Sequence, residues 1–278
     1  MNVLAAFWRR FSNNRAAVGG AVVLALVVLL ALAGPLLYPV DPFDMVGRPS
    51  VPPGGEHLLG TDVAGRDMLA GLIHGGRVSL LIGVMASLAA TAVGLALGAM
   101  AGYHGGRIDD LIMRTTEFFL TIPSFVLAVV LVAIFTPTIT NITIAIAVVS
   151  WPSVARHPRA EFMAHRDRDY VQGCRAIGMP DREIILLQIL PNALPPVIVV
   201  SSLMVATAIL TESGLSFLGL GDPNQVSWGY MIGVARSVLR SAWWMAAIPG
   251  VMIMLTVLAI NLVGEGLNDA LNPRLKQR

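Results

Sequence analysis

The feature that most constrains this chain is the length of its charge-free runs. Ala16 to Val40 contains no Asp, Glu, Lys or Arg, and the same holds for Val78 to Gly106, Phe118 to Ala155, Ile184 to Thr211 and Ser241 to Gly264. A hydrocarbon layer about 30 Å thick takes about 20 apolar residues of helix to cross. Inside that layer every backbone N–H and C=O needs an internal partner, which a helix supplies within itself. The run from 118 to 155 is too long for one crossing and holds Pro137 in a polar Thr-Pro-Thr-Ile-Thr-Asn stretch, so it divides in two. The expected fold class is therefore all-α integral membrane, with six transmembrane helices: a first at 16–40, then others near 79–102, 118–136, 139–154, 193–216 and 243–264. Composition agrees, at 55% hydrophobic and 13% charged residues, against about 25% charged in a soluble domain.

The connecting segments decide orientation. Residues 1–15 carry Arg9, Arg10 and Arg15 with no acid. Ala31-Leu32-Ala33 is similar to a signal cleavage site and Arg9-Arg10 to a twin-arginine start, but the apolar run far exceeds the about 7 to 15 residues of a signal peptide, so it reads as a retained anchor. Six crossings put 1–15, the turn at 107–117, the segment 156–192 and the tail 268–278 on one face, where they hold fourteen of the nineteen Lys and Arg. The loops at 41–77 and 222–240 hold the other five. Short basic loops stay in the cytoplasm, so both termini and the 156–192 segment are expected there. A net charge of +2 is too small to argue for nucleic acid, and the single cysteine, Cys174, reads as a packing thiol.

The most informative polar stretch is Trp151 to Asn192, WPSVARHPRAEFMAHRDRDYVQGCRAIGMPDREIILLQILPN. Its charges exclude it from hydrocarbon. Helix-forming residues run from about Glu161 to Ile177 and stop at Gly178, and Pro180 and Asp181 open a second helix, so the segment reads as two short helices broken at a glycine. Val171, Cys174 and Ile177 recur at helical spacing and give the first helix one apolar stripe amid charge, a stripe suited to docking.

QGCRAIG followed by ILPNALPP resembles the cytoplasmic "EAA" loop of ABC-importer permeases, a family whose pattern is Glu-Ala-Ala, three residues, Gly, and then a closing Ile-Leu-Pro. The resemblance implies that Val171, Gln172, Gly173, Cys174, Arg175, Ala176, Ile177 and Gly178, with Ile189, Leu190 and Pro191, form the coupling element that meets a cytosolic ATPase. Gln172 stands in the Glu place and Gly173 and Cys174 in the two Ala places; the small residues keep close packing possible, while Gln172 removes the charge for an ion pair.

Three further segments resemble the dipeptide, oligopeptide and nickel branch of that family. GTDVAGRD (Gly60–Asp67), followed by a basic residue and SLLIG, is similar to the entry of its transport domain; read on its own chemistry, it is a turn in which Asp62 and Asp67 serve helix starts. Around it, 41–77 reads as an extracytoplasmic loop with a short amphipathic helix at Arg66–His74. GLSFLGLG with Ser227-Trp228-Gly229, and the closing NLVGEGLNDALNPRLKQR, resemble the same branch. By this resemblance the fold is the type I ABC importer transmembrane domain, spanning 75–267, in the bacterial inner membrane.

Two more features stand out. Gly94 and Gly98 form a small-residue pair that either seats a neighbouring helix or faces lipid. Glu212 is the one acid attached to the fifth run; near its far end, it is expected to cap a helix or brace a turn.

The function classes separate on what the spans lack. An ion-coupled secondary transporter, the alternative of another class, places Asp, Glu or His at mid-depth, and no span here does so. The five histidines divide between the two faces, His57 and His74 against His104, His157 and His165, with no metal-ligand spacing. There is no Walker A pattern, so this chain is not expected to hydrolyse ATP. The resemblance implies a permease subunit of an ATP-driven importer for peptides or similar solutes, with nickel or a metal chelate as runner-up cargo. It also implies partners: a second homologous permease as a heterodimer, two cytosolic ATPases, an extracytoplasmic substrate-binding protein and membrane lipid, but no nucleic acid. No cofactor is expected on this chain itself; ATP and Mg belong to the ATPases.

Overall fold

The computed structural model describes residues 3–271, and these form a bundle of long helices. Helix α1 (Val3–Asn13) meets α2 (Arg15–Leu37) at Asn14, whose side-chain oxygen accepts the Ala17 N–H and whose amide donates to Asp269 at 3.1 Å. Then follow α3 (Met68–His104), α4 (Gly106–Thr121), α5 (Ser124–Ile134), α6 (Ile139–Arg166), α7 (Asp169–Ala176), a single turn α8 (Asp181–Glu183), a π-helical turn (Ile184–Ile189), α9 (Leu190–Phe217), α10 (Trp228–Ala235) and α11 (Trp244–Leu271). Five stretches are long and apolar enough to cross a membrane: α2, α3, α6, Asp181–Phe217 and α11. Helices α4 and α5 are apolar and long enough only when taken together, and they are bent by 85° at the break between them, the geometry of a broken span or a re-entrant segment.

Five expected boundaries are corrected. The short helix at Arg66–His74 and the span near 79–102 are one helix, α3, because Asp67 accepts the N–H groups of Leu69 and Ala70 and no breaker follows until Gly105. At 1.5 Å per residue its 37 residues reach about 55 Å, well beyond the hydrocarbon. The expected turn at 107–117 is helical and belongs to α4; the span expected at 118–136 is instead broken at Ile122-Pro123, since the residue before a proline avoids helical geometry. The span at 139–154 starts as expected, with Thr138 capping Asn141, but runs through Pro152 and Pro158 to Arg166. The tail at 268–278 begins within α11, and residues 272–278 lie outside the described residues.

The most extensive helix contact is between α3 and α6. Gly94, Gly98 and Gly102 make it: a Cβ at Gly98 would stand 2.3 Å from the Ala155 carbonyl oxygen, and one at Gly102 2.5 Å from that of Arg159. The small-residue pair therefore seats a helix and does not face lipid. Arg159 also grips Asp109 of α4 with Nε and Nη2, a fork geometry that fixes α4 against α6.

At the end opposite the arginine-rich one, the segment between α2 and α3 is a tied turn. Thr61 donates to the Arg48 carbonyl at 2.6 Å and accepts from Val51, and Asp62 accepts from Ala64 and Arg66. Gly60 and Gly65 have φ of +80° and +82°, and a Cβ on either would strike a backbone oxygen at 2.3 Å. The sequence GTDVAGRD thus leads into α3: Asp67 caps the helix as expected, whereas Asp62 starts no helix and instead holds the turn ahead of it. Burial lifts the Tyr38 phenol above its ordinary value, and the Asp67 carboxylate that accepts its hydrogen bond at 3.2 Å adds to the shift.

Candidate functional site

The connection between α6 and α9 is built from three local devices. Helix α7 begins after Arg168, with Asp169 in its first turn and Arg175 in its last, each sign suited to the helix dipole. It ends at Gly178, whose φ of +77° lets Met179 N–H reach the Cys174 carbonyl and Gly178 N–H reach that of Arg175, the Schellman pattern. Pro180 then starts α8, and its carbonyl accepts from Glu183 and Ile184. The π-helical turn Ile184–Ile189 lies just ahead of Pro191. A proline has no N–H to return and crowds the carbonyl one turn earlier, and a widened turn accommodates both effects.

The break at Gly178 and the restart at Pro180 follow the sequence, but the first helix does not run from Glu161 to Ile177: α6 ends at Arg166 and α7 is separate. The expected docking stripe also divides. Val171 is 0% exposed and packs with Tyr103, Phe162, Ile184 and Ile189, while Cys174 half-buries against the same cluster. Ile177 turns away and is 79% exposed. Two members of the stripe therefore fasten α7 to its own bundle, and burying Val171 contributes about 1.5–3 kcal/mol to that attachment. Arg175 adds to the hold, its guanidinium 5.4 Å over the Tyr103 ring, and the Tyr103 hydroxyl donates to Asp181.

Of the predicted coupling residues at 171–178, Gln172, Gly173, Ala176, Ile177 and Gly178 are exposed, and so is Arg175 despite its contact with Tyr103. A Cβ at Gly173 or Gly178 would meet nothing within 4 Å, so neither glycine is demanded by packing within this chain. Of the closing triplet, Ile189 is buried, Leu190 half-buried and Pro191 exposed. These residues shape the support of α7 and do not form its outer surface. None of the site residues is brought near a charged cluster suited to a metal, and among the described residues no group of three His, Cys, Asp or Glu side chains converges.

Sequence reasoning gave Glu212 a bracing role without naming its partners. It is 1% exposed, and its Oε1 accepts from Ser216 at 2.8 Å and from Ser227 at 2.7 Å. Ser227 caps α10 by accepting from Tyr230 N–H, and Trp228 beside it is buried in the notch left by Gly75 and Gly76, with its indole N–H donating to the Leu72 carbonyl. The Ser-Trp-Gly motif is thus the anchor of α10 on α3 and α9.

Comparison with known proteins agrees with this architecture. Residues 94–277 match the family described as binding-protein-dependent transport system inner membrane component, and residues 3–53 match the N-terminal transmembrane domain of oligopeptide transport permease C. The chain is 43% identical to the di/tripeptide transport system permease protein DppC of Pseudomonas aeruginosa, over 97% of this chain and 92% of that one. It is 41% identical to the dipeptide transport system permease protein DppC of Escherichia coli K12, over 100% of this chain and 95% of the relative. An inward-facing structure of the MetNI methionine ABC transporter shares the fold at a TM-score of 0.61, with 16% identity, covering 74% of this chain and 98% of that one. The chain belongs to the family of binding-protein-dependent ABC-importer permeases, on its dipeptide and oligopeptide branch, and is a multi-pass inner-membrane transport subunit rather than the subunit that hydrolyses ATP.

Proposed function

We propose that this permease carries peptides of a few residues, and that it does so with α7 as the seat of a cytosolic ATPase. The observation that supports the seat is the division of α7 into two faces: Val171 and Cys174 bind it to the bundle, while Gln172, Gly173, Ala176 and Ile177 are left outward with open space before Gly173. Three small residues, Gly173, Ala176 and Gly178, flank one exposed isoleucine, with Gln172 and Arg175 alongside, and a knob of this kind fits a cleft. The peptide cargo rests on the names of the relatives, which specify dipeptides and tripeptides. None of those names favours nickel.

In this reading the arginine-rich end is cytoplasmic, as the positive-inside rule requires. A second, homologous permease completes the path as a heterodimer, two ATPases hold ATP and Mg, and a substrate-binding protein docks on the outer face. Neither nucleotide nor cofactor binds this chain. Closure of the ATPases on ATP pushes α7, and because α7 is fixed to α3, α6 and the start of α9 the push turns those helices outward. Energy enters as a difference in contact between the inward- and outward-open states.

The test is a Gly178→Val variant in the reconstituted importer. A non-glycine residue in left-handed geometry costs about 1–2 kcal/mol and distorts the end of α7. Membrane insertion and basal ATP hydrolysis are expected to persist while peptide uptake falls about tenfold; uptake at the unmodified rate would overturn the assignment.

A further inference from the structure

Helices α6 and α9 are joined at the cytoplasmic end by the coupling segment, and the structure joins them again at the other end. The loop after α9 reaches back to α6, where Asp222 Oδ2 accepts the Ile139 N–H at 3.0 Å. The same loop leads into α10, which lies flat on the end of α9. Gly229 and Gly233 allow this approach: a Cβ at Gly229 would stand 2.7 Å from the Ser213 Cα, and one at Gly233 2.6 Å from the Ser216 carbonyl oxygen. Arg236 donates to the Phe217 carbonyl, one of the last acceptors of α9. At the centre of the seam is the Glu212–Ser227 bond.

Glu212 is an expensive way to hold two helices together. It lies buried in a membrane helix, and its Oε2 has no hydrogen-bond partner among the described residues. An unpaired buried acceptor is destabilising, and an ionisable side chain at such a position is a functional suspect by default. Packing alone does not require it, because the two glycines already let α10 close on α9. What the carboxylate adds is a directional bond to Ser227, the residue that caps α10 and fixes its first turn.

We propose that Glu212 is the positioning residue that makes the outer helix α10 move as one body with α9, so that the push delivered at α7 is read out on the outer face where the binding protein docks. This rests on the import reading above. Asp222 plays the corresponding part for α6. The coupling segment and the 218–227 loop then close α6 and α9 into a frame, with the ATPase acting on one short side and the binding protein sensing the other.

The experiment uses the complete importer, with both permeases, the ATPases and the binding protein, in liposomes. Glu212→Gln keeps an oxygen to accept from Ser216 and Ser227, and is expected to retain at least half of both uptake and binding-protein-stimulated ATP hydrolysis. Glu212→Ala loses the bond, and both are expected to fall at least tenfold while basal hydrolysis stays within twofold. Uptake by Glu212→Ala within twofold of the unmodified complex would overturn the proposal, as would a Gln variant as impaired as the Ala variant. If Glu212→Ala does not assemble, Ser227→Ala decides the matter: it removes the bond to Glu212 together with the Tyr230 cap that fixes the start of α10, and leaves α9 itself unchanged. Stimulation reduced at least threefold in an assembled complex is expected, and unchanged stimulation would overturn the proposal. An unmodified complex that the binding protein fails to stimulate would overturn the import reading itself, and this proposal with it.

Discussion

The two connections between α6 and α9 differ in how they are held. At the arginine-rich end, α7 touches its own bundle along one face through Val171, Cys174 and Arg175, and the other face is open. At the opposite end, Glu212, Ser227 and Trp228 are all buried, and hydrogen bonds from three helices meet there. The proposed lever needs this asymmetry. The end that is pushed must present a surface to its partner, and the end that responds must be fixed firmly enough that motion is not lost within the chain.

The strongest way to break this comparison is to loosen the shaft that both ends share. Gly98→Val drives a side chain into the Ala155 backbone, where the present gap for a Cβ is 2.3 Å. Overpacking costs about 1–3 kcal/mol where side chains can yield, and backbone cannot. The expectation is loss of detergent-stable protein by about tenfold, measured by fluorescence-detected size exclusion. Normal yield would mean that α3 and α6 are not locked together.

Next come two substitutions on α7 that should separate its faces. Val171→Asp places an uncompensated charge in the cluster formed by Tyr103, Phe162, Ile184 and Ile189 and should lower thermal stability by about 3 kcal/mol or more. Ile177→Asp, on the open face, should leave stability within about 0.5 kcal/mol yet weaken ATPase association about tenfold, read by co-purification against ATPase concentration. Equal effects of the two on stability would remove the distinction between an attached face and a free one.

The smallest effect is expected at Arg159, which joins α4 to α6 through Asp109 while remaining about a third exposed. Arg159→Lys loses the fork but keeps the charge, and an exposed pair contributes only about 0.2–1 kcal/mol. The melting temperature should drop by a few degrees, with a smaller drop at high salt. A larger loss would make α4 part of the lever.

Much of this organisation is legible in the sequence because the membrane is a strict filter. Charge-free runs gave the apolar helices, Gly178 gave the end of α7, and Asp62 and Asp67 gave the turn before α3. What the sequence left hidden depends on distance and direction. Helical spacing shows that Val171, Cys174 and Ile177 are apolar; it does not show that the first two face the chain's own core. The acid at Glu212 was visible, but its partner Ser227 stands fifteen residues away across a turn. Arg159 and Asp109 are fifty residues apart, and no local pattern links them. Helix ends were missed where a continuing helix passes through prolines, as in α6, because tertiary packing against α3 outweighs the local breaker.

The most direct measurement of the central claim is the accessibility of residue 177. Ile177→Cys in a Cys174→Ala background offers one thiol to a membrane-impermeant maleimide. The account predicts labelling in inverted membrane vesicles stripped of ATPase, protection when the ATPases are added back, and no labelling in intact right-side-out cells. Labelling from outside, or labelling in stripped vesicles that the ATPases leave unchanged, would contradict it.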